Sequence, residues 1–389
     1  MGILSNTVSI CQFKVEGEIP AAAELFSWAS EHLAKHGFQP IDQGTAELSV
    51  GWVHTGNHQE SAFAAPVDFW HDHYLAFSLR QDRRRIPAAL LKAYFQVSEH
   101  EFLAANPGLR WVPKQKKQDL RDNVRAGLLA KTLPVPTVFD AVWDTRSGLL
   151  TFTALGRPAI EAFETHFKKT FPALRLIAVH PYARAGRVVD GPQQAALRTF
   201  NKATTESALD LIQSNRWLGE DFLLWLMYRT MNTESEYRLN RPGPAEAGEP
   251  FVAYLNDRLV LCSGGENGLQ KITVAGPQDR FSEVRTALRS GKAISEAALY
   301  FEKREHLWKL TLKGDTFHFA SFKTPKVTAE KDNTVDEGSE REALFFERMA
   351  VLETGLQLFD SLYALFLTER LGSGWAGELE KITAWLAAE

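Results

Sequence analysis

Cysteine is nearly absent from this chain of 389 residues, which contains only Cys11 and Cys262. Two cysteines so far apart do not have the spacing of a zinc site, and they cannot supply the framework of a disulfide-stabilised secreted domain. The N-terminal residues also lack the basic start and apolar core of a secretory signal peptide. The sequence therefore predicts a cytoplasmic protein without a bound cofactor.

Long apolar runs are also missing. The longest, Phe222 to Tyr228, covers about a third of the roughly 20 residues that a membrane-spanning helix needs. We therefore expect no membrane partner. A phosphate-binding glycine loop is not indicated either, because Gly264-Gly265 is not followed by Lys-Ser or Lys-Thr. With 44% apolar and 11% aromatic residues, the chain can bury a sizeable core in two or three domains.

Charge is distributed unevenly along the chain. The net charge is −4, but the segment from Arg80 to Lys131 contains twelve basic and five acidic residues, which gives it a charge of +7. The other 32 basic and 43 acidic residues give −11. Such a polarised charge favours a polyanion on one surface and repels it from the others.

The order of predicted elements indicates an α+β fold with antiparallel sheets and flanking helices. Alternating apolar residues predict strands at Val8 to Val15 and Tyr74 to Arg80, and helical patterns follow at Pro87 to Leu103 and Lys114 to Lys131. Residues 138–180 have the pattern of a β-β-α-β unit. Two hairpins are predicted after a helix over residues 218–231, the first (251–262) turning at Asn256-Asp257 and the second (308–322) at Gly314-Asp315.

The C-terminal part is predicted to form a long helix from Glu340 to Arg370. Its apolar residues recur at steps of four and three, a spacing that buries one helix face in the core or against a second subunit; they are Leu352, Leu356, Phe359, Tyr363 and Phe366. Composition divides the chain into five consecutive regions: an N-terminal α+β region (1–75), a central basic region (76–182), an α+β region with hairpins (183–323), an acidic loop (324–340) and a C-terminal helical region (341–389).

The candidate DNA-binding residues lie in the basic region. On a helix that advances about 100° per residue, one edge of the Lys114 to Lys131 segment is basic over about 80°, beside an apolar arc formed by Leu120, Val124 and Leu128. Flexible cations on such an edge can contact phosphates without reading bases. Trp111 could stack on a base or belong to the core. The predicted DNA-binding residues are Arg83, Arg84, Arg85, Lys92, Lys114, Lys116, Lys117, Arg121 and Arg125.

Several segments resemble the RdgC family of recombination-associated proteins, in order along nearly the whole chain. The N-terminal matches are Gly51-Trp52-Val53, Leu79 to Pro87 and Leu120 to Leu129. The C-terminal ones are Gly291-Lys292-Ala293, Ser321 to Lys326 and Phe346 to Met349 with Asp360. A departure is His71-Asp72-His73, which occupies a turn where a smaller residue such as glycine is expected.

The resemblance implies a homodimer that closes into a ring around DNA. It also implies binding of single and double strands with low sequence specificity, a nucleoid-associated location and antagonism of RecA in recombination. By position, it places DNA contacts at Arg121 and at Arg83 to Arg85. In this interpretation the protein is not an enzyme.

Two other functions remain open at the sequence level. The spacing of His54, His58, His71 and His73 is one that a metal ion can use, which would indicate a metal-dependent enzyme. A nuclease would need clustered carboxylates near the basic face, but Asp119 and Asp122 are better explained as partners of Lys116 and Arg125 on one helix. Alternatively, the C-terminal helix could make the chain a protein-interaction module.

Overall fold

The structure is a computed structural model that describes residues 2–42, 46–265, 268–276, 281–327 and 337–388. The strands are β1 (Thr7–Gly17), β2 (Leu48–Val53), β3 (Trp70–His71), β4 (Tyr74–Arg83), β5 (Val135–Asp144), β6 (Leu149–Phe152), β7 (Leu174–Ala178), β8 (Glu236–Arg238), β9 (Pro250–Gly265), β10 (Gly268–Ala275), β11 (Ala293–Lys303), β12 (His306–Lys313) and β13 (His318–Lys323). The helices are α1 (Ala22–Lys35), α2 (Ala88–Ala105), α3 (Lys114–Lys131), α4 (Arg157–Thr170), α5 (Pro181–Val188), α6 (Gly191–Phe200), α7 (Ala208–Ser214), α8 (Trp217–Asn232), α9 (Ser282–Arg289), α10 (Glu337–Arg370) and α11 (Trp375–Ala387).

The chain forms two compact units that interleave along the sequence. One, here called the basic unit, comprises Gly17–Arg146 and Glu161–Arg175, and the other, the large unit, contains Met1–Glu16, Ser147–Ile160 and Leu176–Glu389. Helices and antiparallel strand pairs occur in both units, which confirms the predicted α+β class. The five consecutive regions drawn from composition are a different division of the chain and stay a prediction.

The basic unit is built on an antiparallel sheet in the order β2-β4-β5, with the short β3 paired to the start of β4. Its core is centred on Trp52, whose side chain is completely buried. The Trp52 ring lies edge-on to Phe77 and Phe163, and its Nε1 donates a hydrogen bond to Thr170 Oγ1 at 2.7 Å. The Thr170 hydroxyl therefore satisfies the single polar atom of the Trp52 side chain.

A glycine precedes Trp52 because a second segment approaches the backbone closely. The Phe38 amide donates to the Trp52 carbonyl at 2.9 Å. A Cβ added to Gly51 would lie 2.3 Å from the Phe38 Cα, a separation that real Cβ atoms do not adopt. The Gly51-Trp52-Val53 signature therefore has a packing explanation in this unit.

The large unit contains a sheet in the order β10-β9-β11-β12-β13-β1-β6, with β8 paired to β9 and β7 paired to β1. Helix α8 packs on β9 and β11, and α10 packs beside α5 and α8. An aromatic cluster connects these helices with the sheet, since the Phe222 ring lies edge-on to Phe317, Phe359 and Tyr363.

The long C-terminal helix is present as predicted, and its apolar seam belongs to the core of the large unit. All five seam residues are buried, four of them completely. The intramolecular alternative is therefore the one observed, and the seam offers no surface to a partner. By length and composition, residues 338–370 of this helix could also cross a membrane, but 67% of the apolar window is buried inside the protein, as in the core helix of a folded domain.

One of the two predicted hairpins is wrong. Strand β9 continues through Asn256-Asp257, where Asp257 has a φ of 61°. The pairing of β9 with β11 slips at this point, since Ala297 faces Leu259 whereas Leu299 faces Leu255. The Asn-Asp pair therefore forms a bulge within a long strand. The second hairpin, β12 with β13, connects through residues 314–317 as predicted.

The predicted acidic loop at 324–340 lies largely outside the described residues. Residues 324–327 have no regular structure, and α10 begins at Glu337, three residues before the predicted start.

Candidate nucleic-acid interface

Helices α2 and α3 pack against each other in the basic unit and are unusually exposed. Helix α2 contains no buried residue, and α3 buries only Leu128 and Leu129, near its C-terminal end. The predicted apolar arc is thus partly confirmed, because Leu120 and Val124 are half-buried. Both helices begin after a proline, Pro87 or Pro113, whose fixed φ suits the start of a helix.

The basic edge predicted for α3 is exposed on the surface of the unit. Lys114, Lys117, Arg121 and Arg125 are all exposed, and Lys116 is half-buried, with its Nζ 5.9 Å from the centre of the Phe102 ring. On α2, Lys92 is exposed as well. The structure thus leaves most of the predicted helical cations accessible to a ligand.

The three consecutive arginines do not all point outward, although all three were predicted to contact DNA. Arg83 is the last residue of β4 and is exposed, and Arg85 is exposed in the following linker. Arg84, only 3% exposed, donates from Nη2 to the carbonyl oxygens of Ile41 and Asp42 at 2.6 and 2.9 Å. Side chains alternate along an extended backbone, so the middle arginine faces inward and its predicted role in DNA contact has no structural support.

Two cations of the α3 edge are paired with carboxylates of other elements. Lys117 Nζ lies 2.8 Å from Glu99 Oε1 on α2. Arg125 donates from Nε and Nη2 to the two oxygens of Glu47 at 3.0 and 2.8 Å. The predicted partner of Arg125, Asp122, instead accepts hydrogen bonds from Gln118.

The other exposed cations of this surface are Arg83, Arg85, Lys92, Lys114 and Arg121. Over the described part of the chain, no carboxylate lies within ion-pair distance of these five side chains. We refer to them, together with Lys117 and Arg125, as the basic surface. The five charges without a described carboxylate partner would be available to neutralise phosphates.

Trp111 lies between α2 and α3 with 74% of its surface exposed. Tryptophan is usually buried to a large extent, so the core alternative for this residue is wrong. A flat, accessible aromatic ring is a group on which an unpaired base can stack. Sequence reasoning considered this role but did not include Trp111 among the predicted site residues.

An apolar stripe on α2 was missed by the sequence analysis. Leu90, Tyr94 and Val97 follow at steps of four and three, and their exposed fractions are 39%, 51% and 55%. The spacing places them on one helix face. The signal was present in the sequence, but helical periodicity cannot distinguish a face that meets the core from one that remains uncovered.

Part of the chain matches the model of a known family. Residues 10–188 match the RdgC family model. The family description reads "Putative exonuclease, RdgC". The match confirms the resemblance to RdgC over a region that contains the basic unit and the whole basic surface. The resemblance of the later segments stays a prediction. No curated protein matches the chain.

An RdgC exonuclease that used metal ions would need clustered ligands. In the ranges that the structure describes, no group of three or more His, Cys, Asp or Glu side chains could hold a metal ion. This includes the four histidines of the alternative hypothesis. His54 Nε2 contacts the Ala62 carbonyl oxygen at 2.9 Å, and His73 Nδ1 lies 2.7 Å from Asp72.

Asp72 lies in the turn where the resemblance to RdgC led us to expect a smaller residue such as glycine. Its φ is 52°, in the left-handed region that favours glycine. Aspartate tolerates this conformation better than most residues because its short side chain hydrogen-bonds locally. The contact with His73 is of this kind, which gives the His-Asp-His sequence a structural explanation in a tight turn.

Proposed function

We propose that the protein is a non-catalytic DNA-binding protein that grips the phosphate backbone through its basic surface and modulates homologous recombination. The RdgC match supports a recombination-associated role in DNA binding in general. The observation that supports the backbone grip is the set of exposed cations on α2, α3 and the end of β4, most of which have no carboxylate partner among the described residues.

The chemistry of these side chains favours phosphates over base edges. Lysine and arginine on flexible stems neutralise phosphates and release counterions, which yields affinity without sequence information. The cations of the basic surface are lysine and arginine side chains, five of them without a carboxylate partner among the described residues. We therefore expect similar affinity for unrelated sequences, and binding to both duplex and single strands.

The active form in this proposal is a homodimer. The stripe formed by Leu90, Tyr94 and Val97 is apolar, continuous and uncovered, whereas the C-terminal seam is buried. A second copy of α2 would cover the stripe and remove its apolar surface from water. Two basic surfaces would then act together, as the ring-shaped dimer implied by the resemblance requires.

In this proposal the protein restrains RecA because it occupies the DNA on which RecA filaments assemble. A protein that covers the backbone without sequence preference competes with filament assembly wherever DNA is accessible, and it would concentrate on the nucleoid in the cytoplasm. In an assay of RecA filament growth on single-stranded DNA, the protein is expected to slow growth in proportion to its coverage. Unchanged growth at saturating coverage would contradict this part of the proposal.

The absence of catalysis is also part of the proposal, although the family description names an exonuclease. Its support is that the described residues include no carboxylate cluster of the kind a metal-dependent nuclease uses. End-labelled duplex and single-stranded DNA, incubated with Mg²⁺ or Mn²⁺, should remain intact. Release of nucleotides that follows the protein through purification would contradict it.

A further inference from the structure

A cavity of about 530 Å³ lies within the basic unit, where β2, β4, α2 and α3 meet. Its charged lining consists of Arg83, Arg84, Arg85 and Arg125 together with Glu47. Because Arg125 is paired with Glu47 and the Arg84 guanidinium donates to backbone carbonyls, Arg83 and Arg85 supply the positive charge that remains available in the lining. The cavity therefore favours an anionic group.

The rest of the lining is aliphatic. Leu48, Leu91 and Leu129 contribute to it, with Ile86 and Ala88 completing the wall. A ligand suited to this lining has a charged end and a flat or apolar body. Sites for small molecules usually measure roughly 300–1,000 Å³, so a cavity of this size can accommodate one nucleotide.

The arginines differ in what they can offer a ligand. Arg84 is held by the carbonyl oxygens of Ile41 and Asp42, so its guanidinium is engaged by the protein itself and is not offered to a ligand. Arg83 and Arg85 are exposed and extend from the same short segment on either side of it. Arginine binds phosphate in a bidentate manner and stacks on planar rings, so these two side chains can contact either part of a nucleotide.

We infer that this cavity binds one unpaired nucleotide of a DNA strand, with its phosphate at Arg83 and Arg85 and its base against the aliphatic wall. The inference rests on the proposed function and adds an element to it: the duplex backbone contacts the basic surface, and a strand end or an extruded base also enters the cavity, whose Arg83, Arg85 and Arg125 belong to that surface. Because the described lining is aliphatic, discrimination among the four bases is expected to be weak.

The test compares a blunt duplex with the same duplex bearing a short 5′-phosphorylated overhang. Binding of the blunt duplex reports the backbone grip, and the ratio of the two affinities reports the cavity. Wild-type protein should bind the overhang about tenfold more tightly, within the range of one additional base contact. Ala88 lines the cavity and is exposed at the start of α2, so Ala88→Trp fills the cavity from a position that tolerates a large side chain.

The matched control is Ala89→Trp, since Ala89 is exposed on the same helix turn but does not line the cavity. The inference predicts that Ala88→Trp abolishes the preference for the overhang and that Ala89→Trp retains it. Equal affinities in the wild type, or a preference that persists in Ala88→Trp, would overturn the inference even if blunt duplex binds normally. If the wild type did not bind the blunt duplex at all, the proposed contact with the DNA backbone would be refuted instead.

A second probe is deoxyadenosine monophosphate alone, followed by saturation-transfer NMR. It should bind the wild type and Ala89→Trp, and it should fail to bind Ala88→Trp. No transfer in the wild type would overturn the inference whatever the duplex affinity is.

Discussion

Arg125 and Glu47 form a bidentate pair between α3 and the residue that precedes β2, with hydrogen bonds of 3.0 and 2.8 Å. Both side chains are about half exposed, and exposed ion pairs contribute little to stability because water and salt screen them. The pair nevertheless neutralises one cation of the basic surface. A phosphate that approaches Arg125 must compete with this carboxylate.

Replacing Glu47 by glutamine should therefore strengthen DNA binding. The substitution keeps the shape of the side chain and removes the competing charge, so we expect the affinity to rise about threefold, the scale of one exposed ion pair. The melting temperature should not change. Fluorescence anisotropy with a labelled duplex measures this increase, and weaker binding by Glu47→Gln would show that the pair positions Arg125 for DNA.

Alanine substitutions of Arg83, Arg84 and Arg85 should affect either the stability of the fold or the binding of DNA, depending on the position. Arg84→Ala leaves two carbonyl oxygens without their donor, which should reduce the free energy of unfolding by about 1–3 kcal/mol. Arg83→Ala and Arg85→Ala should leave stability unchanged and weaken DNA binding. Urea denaturation and anisotropy on the three variants test this. If Arg84→Ala were as stable as the other two, the buried position would not have the structural role assigned here.

The apolar stripe on α2 should control subunit association. Tyr94→Glu combined with Val97→Glu places two charges on the stripe, which a second copy could not bury without a large desolvation cost. We expect monomers by light scattering after gel filtration. Gln96 is exposed on the same helix, so Gln96→Glu with its single added charge is the control and should remain dimeric. A dimer that survives the double substitution would place the interface elsewhere.

Acid should destabilise the basic unit through His166. Burial lowers the pKa of this histidine to about 4, so between about pH 6.5 and 4 the unfolded chain binds a proton that the folded chain does not. The contribution of His166 to the free energy of unfolding should therefore be constant above pH 6.5. As the pH decreases to 4, the free energy of unfolding should fall by up to about 3 kcal/mol because of this group.

The same burial lowers the pKa of His180 and His318 in the large unit to about 4. Denaturation of His166→Phe should show a shallower decline with acid than the wild type. Identical pH profiles would mean that protonation of His166 is not a cause of the acid sensitivity of its unit.

Much of this fold could be predicted from local patterns, but not how the elements meet. Helix α3 was recognisable from its charges, and α10 from its seam, because both signals repeat within a few turns. The direction of Arg84 was not, since Gln81 to Arg85 are all polar and hide the alternation of a strand. Likewise, Asn256-Asp257 resembles a turn in sequence, and only its pairing with β11 identifies it as a bulge.

The candidate site shows the same limit. Sequence clustering indicated the basic surface, but the pairing of Arg125 with Glu47 joins residues that are 78 positions apart, which no helical spacing can anticipate. The exposure of Trp111 and of the α2 stripe depends on what the rest of the unit leaves uncovered.

The most direct test of the central claim is fluorescence anisotropy with two unrelated duplexes and one single strand, titrated between about 50 and 200 mM salt. We predict similar affinities for both duplexes, binding of the single strand, and a steep salt dependence. Replacing Lys114 and Arg121 by glutamine should reduce the duplex salt slope by about two, or roughly 0.9 for each phosphate that is no longer neutralised, whereas Arg198→Gln, an exposed arginine of the large unit, should leave it unchanged. No binding at the lowest salt, or a slope that is the same in the double variant and the wild type, would contradict the proposal that this surface grips the DNA backbone.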